Sequence, residues 1–379
     1  MNELDGLREM VRNLFDGRAS SEHVRAALDT PDGYDTNLWQ TVAELDLLGL
    51  LVPEQFGGVG AGLPEIAVVL HEIGRRTVPL PIVSSAVLAP TALLHGDNQS
   101  LAAEMLPALA TGERRAAVVV GGPDGELTPA VWALKWGERR GDYVLNGVAG
   151  FVLDAPGADD LIVAARGEDG LLVAAVDARE AAVIAAATTD RTRRLGTVTL
   201  DGAAVPAARV LARGDAAGAL VARVQAVAAF AIACDAVGLA ERTMERTASY
   251  AQVRQQFGRA IGSFQAIKHK CADMAVAVEC SRAALSLALD ALRGRPDEQD
   301  GPADVAAVST AKAYACDAAV TVCGDAIQAH GGIGFTWEHD AHLWLKRALL
   351  DRALFGSPSW HRRRVADAVL PTETALANG

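Results

Sequence analysis

The chain has 379 residues, half of them hydrophobic, and a formal net charge of -12. That length allows two or three packed layers around a large core, and the acidic balance argues against a nucleic-acid partner, which needs clustered Lys and Arg. The longest purely apolar run, Ala226 to Cys234, is too short to cross a bilayer, and Met1 to Arg12 lacks an apolar signal core, so no membrane insertion and a cytoplasmic location are expected.

From Leu7 to about Gly112 apolar residues recur at three and four, as in Val42, Leu45 and Leu48 or Ile66, Val69, Leu70 and Ile73, with breakers at Pro53, Pro79 and Pro81. This spacing predicts a helical domain over 1–113. Within it, Val52 to Gly60 is Gly-rich but lacks the Lys-Ser/Thr of a phosphate loop, so it reads as a tight connection between helices.

Residues 114–214 change character to short β-branched runs: Ala117 to Val120, Tyr143 to Leu145, Asp160 to Ala164, Leu171 to Val176 and Gly196 to Leu200. Turns are expected at Asn146-Gly147, Glu168-Asp169-Gly170 and Asp201-Gly202, Asn-Gly being the strongest hairpin signal because both residues tolerate positive φ. A β domain therefore stands between helical ones. Over 215–379 the chain is Ala-rich and 3.6-periodic again, with a loop expected at Arg293 to Pro302, which predicts a closing bundle of long helices.

The five cysteines, Cys234, Cys271, Cys280, Cys316 and Cys323, fall in helix-like segments without a Cys-x-x-Cys pair, so reduced thiols are expected. The basic cluster His361 to Arg364 reads as a solvated helix face. His339 and His342, with Glu338 and Asp340, do not have His-Glu-x-x-His spacing, so no metal site is expected. Gly-x-Ser-x-Gly is absent, and nothing local indicates a Ser-His-Asp or Cys-His set.

Two blocks carry more specific information. In Tyr250 to Met274, the spacing of Arg254, Gln256, Phe257, Gly258, Phe264 and Gln265 resembles the helix-loop-helix signature of the acyl-CoA dehydrogenase family. Gln328-Ala329-His330-Gly331-Gly332-Ile333-Gly334-Phe335 resembles the Gln-x-x-Gly-Gly-x-Gly-Phe block of the same family. The resemblance extends over nearly the full length and implies a mainly α, α+β fold: an N-terminal helical domain, a middle β domain and a C-terminal four-helix bundle.

It also implies FAD as cofactor, an acyl-CoA substrate desaturated at the 2,3-position and an electron-accepting flavoprotein. In the family these two blocks reach across a subunit interface to a neighbour's FAD, which carries Arg254, Gln256, Phe257, Gln328, Gly331 and Gly332 over as FAD contacts. Arg suits a diphosphate because its planar fork binds oxygens in pairs, and glycines let backbone approach closely. For Phe257, simple core packing is an equal reading.

The resemblance weakens elsewhere. Where relatives carry Thr-Glu-Pro-x-x-Gly-Ser-Asp, this chain has Val120-Gly121-Gly122-Pro123-Asp124-Gly125, and the family's aromatic-Ile-Thr-Asn segment falls on Phe151-Val152-Leu153-Asp154, where Leu153 has no hydroxyl to offer the flavin. Desaturation needs a positioned carboxylate to take the α-proton. The usual Glu position holds Phe355, followed by Gly356-Ser357, and the alternative position, on the helix before the Arg block, holds Ala228. Asp235, two turns up that helix face, is the nearby candidate base; its alternative role is a polar partner for a neighbouring helix.

Three readings stay open: one subunit of a heteromeric, α2β2 enzyme with a homologous acyl-CoA dehydrogenase subunit as partner; a homomeric acyl-CoA or acyl-carrier dehydrogenase using a base such as Asp235; and a non-catalytic structural paralogue. The segments Asp190 to Leu195 and Leu354 to Pro358 resemble the divergent subunits of actinobacterial heteromeric enzymes acting on steroid side-chain or other bulky acyl-CoAs.

Overall fold

The 3.6-periodic N-terminal segment resolves into short helices: α1 (Glu3–Arg18), α2 (Ser21–Leu28), α3 (Thr36–Glu44), α4 (Leu63–Arg76), α5 (Ala89–His95) and α6 (Gln99–Ala110). The computed structural model describes residues 3–293 and 301–370. Asp35 caps α3 by accepting from the Asn37 and Leu38 N–H groups, and Asn98 caps α6 through the Leu101 N–H, satisfying donors that a helix start leaves unpaired. Ile66, Val69, Leu70 and Ile73 are buried on α4 as their spacing predicts. Leu45 instead ends α3 and is exposed. The Gly-rich 52–60 segment is the tight connection expected: Gly57 has φ +80°, and an added Cβ at Gly58 would stand 2.0 Å from the Val52 carbonyl.

The middle segment forms an eight-stranded, mostly antiparallel sheet. Its strands are β1 (Ala116–Val119), β2 (Lys135–Arg139), β3 (Asp142–Leu153), β4 (Asp160–Gly167), β5 (Gly170–Asp177), β6 (Ala181–Ala185), β7 (Leu195–Val205) and β8 (Val210–Arg213). They run in the order β6-β7-β3-β2-β4-β5-β8, with β1 parallel to β4. Leu145, Leu161, Val163, Leu172, Val198 and Leu200 lie in its core.

The Glu168-Asp169 turn joins β4 to β5 as expected. Two other expected turns are not turns. Asn146-Gly147 lies inside β3 and Asp201-Gly202 inside β7, where they face each other at a register shift, the Asn146 Oδ1 accepting from the Gly202 N–H at 2.7 Å. Gly147 is needed there because a Cβ would stand 2.2 Å from the Ala133 carbonyl. Positive-φ residues serve a β-bulge as well as a hairpin, so the sequence signal was ambiguous. The hairpin between β2 and β3 is made instead by Arg140 and Gly141, both at positive φ.

Five helices close the chain's described part: α7 (Asp215–Val253), α8 (Gln265–Arg293), α9 (Pro302–His330), α10 (Ala341–Ala353) and α11 (Pro358–Val369), with a two-stranded ribbon, β9 (Gln255–Gln256) and β10 (Arg259–Ala260), between α7 and α8. α8, α10 and α11 pack on α9. Most of the loop expected at 293–302 falls outside the described residues. α7 is long and apolar enough to cross a bilayer although Gln225 and Asp235 interrupt its apolar run, yet 78% of its most apolar window is buried within the protein, as for a core helix. The three segments thus have the expected secondary structure.

Packing cuts the chain differently. One compact unit is drawn from Met1–Val24, Ala67–Val78 and Ala229–Gly379, the other from Arg25–Ile66 and Pro79–Ala228. Within the first, α4 and α7 meet backbone to backbone: an added Cβ on Gly74 would stand 2.0 Å from the Asp235 carbonyl, and one on Gly238 1.9 Å from the His71 carbonyl. Glycines on both helices are what permit that approach. Beside this crossing, Arg12 of α1 pairs with Glu72, His71 and Arg75 of α4 reach Glu241 of α7, and Arg282 of α8 closes on the same carboxylate. These partners hold Glu241 well below the usual carboxylate range, with the His71 hydrogen bond the largest favourable cause against burial.

Candidate functional site

α7 ends in a turn in which the Arg254 N–H still donates to the Tyr250 carbonyl at 2.9 Å. The chain then forms the β9–β10 ribbon, pairing Gln256 with Arg259 and Gln255 with Ala260, so that only Phe257 and Gly258 make the turn. Their φ values are +53° and +79°, the conformation of a tight two-residue hairpin. Gly258 takes it freely; a bulky Phe does so at a cost. The core-packing reading of Phe257 does not hold: the residue is 91% exposed. Its ring lies edge-to-face with Phe264, centroids 6.0 Å apart, and the Arg259 guanidinium lies 4.1 Å from the Phe264 ring centre. Arg254 is exposed and has no salt-bridge partner among the described residues.

α9 ends at the second block. The Gly331 N–H caps it by donating to the Gln328 and Ile327 carbonyls, at φ +64° and ψ -142°, a region that only glycine enters readily. Gln328 is exposed, as are Gly331 and Gly332. Added Cβ atoms at Gly258, Gly331 or Gly332 would meet nothing within 4 Å, whereas one at Gly334 would stand 2.9 Å from the Ile327 carbonyl. Gly334 is therefore required by the fold. The other three leave open backbone surface, and with the unpaired Arg254 they fit a diphosphate or a flat adenine ring approaching from outside the chain.

The structure brings the two blocks to one end of the helical unit. The Tyr250 ring stacks on His330 with centroids 4.4 Å apart, and His330 in turn lies 4.5 Å from His339. Burial pushes the pKa values of both histidines down. Phe335, 79% exposed, and Trp337 extend an apolar rim beyond the glycines. No group of metal-ligating side chains occurs among the described residues.

The candidate base positions are equally well defined. Asp235 has no exposed surface; Arg347 Nε donates to its Oδ2 at 3.0 Å and Nη2 to its Oδ1 at 2.9 Å. A carboxylate held on both oxygens inside the protein is a helix-to-helix strut from α7 to α10, which fits the second of its two sequence readings, a polar partner for a neighbouring helix, and not the candidate base. Ala228 is fully buried. Phe355 sits half-buried at φ +50° in the loop between α10 and α11. That loop is pinned through its backbone: the fully buried Lys312 donates to the Asp351 and Gly356 carbonyls at 2.9 and 3.1 Å, and His361 Nε2 donates to the Phe355 carbonyl at 2.9 Å. Burial, with the nearby Lys312 charge, pushes His361 down to about 3.

In the other unit, Phe151 stands at φ +54° and is half exposed, at a bulge in β3. The 120s loop lies against this bulge: the Gly150 N–H donates to the Gly122 carbonyl at 3.1 Å, and a Cβ on Gly150 would stand 1.9 Å from the Pro123 carbonyl. Leu153 points into the core. Asp154 N–H donates to the Arg194 carbonyl at 2.7 Å, while Arg191 donates to the Leu28 carbonyl and Asp29. The Asp190 to Leu195 segment thus clamps the strand end to the 28–34 loop.

Sequence reasoning did not assign roles to Tyr250, Lys312 or His330, and it placed His361 on a solvated helix face, whereas His361 is buried and Arg362 and Arg363 are the exposed members of that cluster. One signal was available: Phe followed by Gly recurs at 257–258 and 355–356, and both phenylalanines take positive φ, as Phe151 does after Gly150.

Comparison with known proteins bears on the family and the fold. A family profile described as acyl-CoA dehydrogenase, N-terminal domain, matches residues 1–113, and one described as acyl-CoA dehydrogenase, C-terminal domain, matches 218–370. The chain is 34% identical over 364 residues to acyl-CoA dehydrogenase IpdE2 of Mycolicibacterium smegmatis, covering 96% of this chain and 97% of that one. Among solved structures, the ChsE4-ChsE5 complex of Mycobacterium tuberculosis superposes with a TM-score of 0.88 at 29% identity, covering 98% of this chain and 99% of that one. The steroid ACAD Tcur3481-Tcur3483 superposes with a TM-score of 0.87 at 28% identity, covering 100% and 99%.

Proposed function

The chain belongs to the acyl-CoA dehydrogenase family, and we propose that it is one subunit of a cytoplasmic, heteromeric α2β2 enzyme, lending contacts to an FAD housed mainly by a homologous partner. What supports this reading is the 354–357 loop, anchored through its backbone by Lys312 and His361, with Phe355 at the position where the family resemblance puts the catalytic carboxylate. Asp235 offers no substitute, since Arg347 occupies both its oxygens. That geometry removes the main support for a homomeric enzyme with an unorthodox base.

When bound, FAD would supply the oxidising power for 2,3-desaturation of an acyl-CoA, with an acceptor flavoprotein as the proposed electron partner. The contribution of this chain is binding and orientation. Arg254 would pair with diphosphate oxygens, Gln256 and Gln328 would offer amides to the nucleotide, Phe257 would add an apolar face, and Gly331 and Gly332 would let backbone come close. The α-proton would be taken by the partner's carboxylate. Two similar structures support the pairing, one a ChsE4-ChsE5 complex and one a steroid ACAD; on the same ground the substrate class we propose is a steroid side-chain or similarly bulky acyl-CoA.

The test is to purify the chain alone and together with a homologous acyl-CoA dehydrogenase subunit from the same organism, and to record flavin absorbance and dehydrogenase turnover. Colourless protein alone and a yellow, active complex are expected. Stoichiometric FAD and turnover by the chain alone would refute the proposal, and an assembled complex whose flavin is indifferent to Arg254→Ala would favour the non-catalytic paralogue.

A further inference from the structure

We propose that the Tyr250–His330 ring stack is a positioning device that holds the two FAD-contact blocks at a fixed spacing. This rests on the lent-contact reading above and carries it to the residues that set the contact geometry.

Tyr250 lies in the last turn of α7, its carbonyl accepting the Arg254 N–H at 2.9 Å. His330 is the last residue of α9, directly before Gly331. The two rings lie 4.4 Å apart and 21° from parallel, a stacked arrangement with an attraction beyond its buried area. The root of the hairpin and the root of the glycine block, far apart in sequence, are therefore joined face to face.

His330 is itself fixed from other sides. Its Nδ1 lies 2.7 Å from the Ala326 carbonyl; a carbonyl only accepts, so Nδ1 carries the proton of the neutral ring. A Cβ at Gly334 would stand 3.2 Å from the His330 Cβ, so the residue is also packed from below. Its ring contacts His339 at 4.5 Å and Trp344 at 6.4 Å. A ring confined in this way has one orientation, and Tyr250 stacked on it shares that constraint. The direction in which α7 hands the chain to Arg254 follows from it.

The need is geometric. One diphosphate must be met by a guanidinium from the hairpin and by backbone at Gly331 and Gly332, and contact of that kind is sensitive to displacements of about 1 Å. Tyr250 and His330 touch no ligand in this scheme; they act through Arg254 and the glycines.

The experiment uses the co-purified complex, with FAD release followed by recovery of flavin fluorescence. Tyr250→Ala and His330→Ala are each expected to raise the FAD dissociation constant about tenfold, equivalent to about 1.4 kcal/mol. Tyr250→Phe, which keeps the ring, is expected to stay within about twofold. The double alanine variant is expected to bind no more weakly than either single, since both remove the same interaction. Size-exclusion profile and thermal unfolding serve as separate readouts of assembly and fold.

If Tyr250→Ala holds FAD like the wild type while Arg254→Ala loses it, the positioning role is overturned and the lent-contact reading stands. If Arg254→Ala also leaves FAD binding unchanged, both fall. Should the alanine variants fail to assemble, Tyr250→Leu and His330→Leu fill the space without stacking, and additive weakening in their double variant would overturn the proposal.

Discussion

Asp235 and Arg347 meet in two parallel hydrogen bonds of 2.9 and 3.0 Å, with 0% and 1% of their side chains exposed. Removing one partner leaves the other charge buried, which typically costs about 3–5 kcal/mol. Asp235→Asn should therefore lower the urea midpoint of the protein markedly, and Arg347→Met should lower it at least as much, since Arg347 also faces the buried Asp351 carboxylate at 3.8 Å. A folded Asp235→Asn complex with the wild-type midpoint and no turnover would return Asp235 to the chemistry.

Phe257 combines positive φ with near-complete exposure. Phe257→Gly relieves backbone strain of about 1–2 kcal/mol and forfeits an edge contact with Phe264 of about 0.5–1.5 kcal/mol, while giving the unfolded chain more freedom. The expected result is a chain whose stability changes by less than about 1 kcal/mol in denaturant melts but whose complex retains FAD more weakly. Unchanged FAD retention would show that the exposed ring serves some other contact.

Two glycines should respond in opposite ways to one methyl group. Gly238→Ala drives a Cβ to 1.9 Å from the His71 carbonyl, so the α4–α7 crossing must open, at about 1–3 kcal/mol or more. Gly332→Ala meets nothing within 4 Å and should leave thermal unfolding unchanged while reducing FAD affinity of the complex. Calorimetry alongside flavin titration separates the two.

His361, pushed down to about 3 by burial and by Lys312, sets a pH dependence. Below about pH 6.5 the unfolded histidine takes up a proton that the folded one refuses, so the unfolded state binds more protons and stability falls as pH decreases toward 3. The contribution is fully present above about pH 6.5. His361→Gln, which keeps a donor for the Phe355 carbonyl, should flatten the stability-against-pH curve between about pH 4 and 6, by up to about 1.4 kcal/mol per pH unit. An unchanged slope would place the acid sensitivity elsewhere.

Much of this was legible in local sequence because it depends on local spacing. The helical segments, the β4–β5 turn and the tight 52–60 connection are set by residues close together in the chain. Asn146-Gly147 and Asp201-Gly202 misled because positive φ serves bulges and turns alike, and which one forms depends on the opposing strand. For Asp235 the sequence left a base and a helix partner both open, because the residue that decides, Arg347, lies far along the chain on α10. The contact blocks were recognisable, but the stack that joins them depends on how α7 and α9 pack. The division of the N-terminal helices between two packed units follows from pairs such as Arg12 with Glu72 and Gly74 with Asp235, which no periodicity reports.

The loop carrying Phe355 is gripped at residues 355 and 356 by their carbonyls, from His361 and Lys312. Anchors that take hold of main-chain carbonyls place no demand on the side chain at 355, although its φ of +50° still sets a backbone cost for the residue there. A reactive group at 355 is thus separable from the architecture that displays it. A lineage with a second copy supplying the reaction would face little structural resistance to letting this one go.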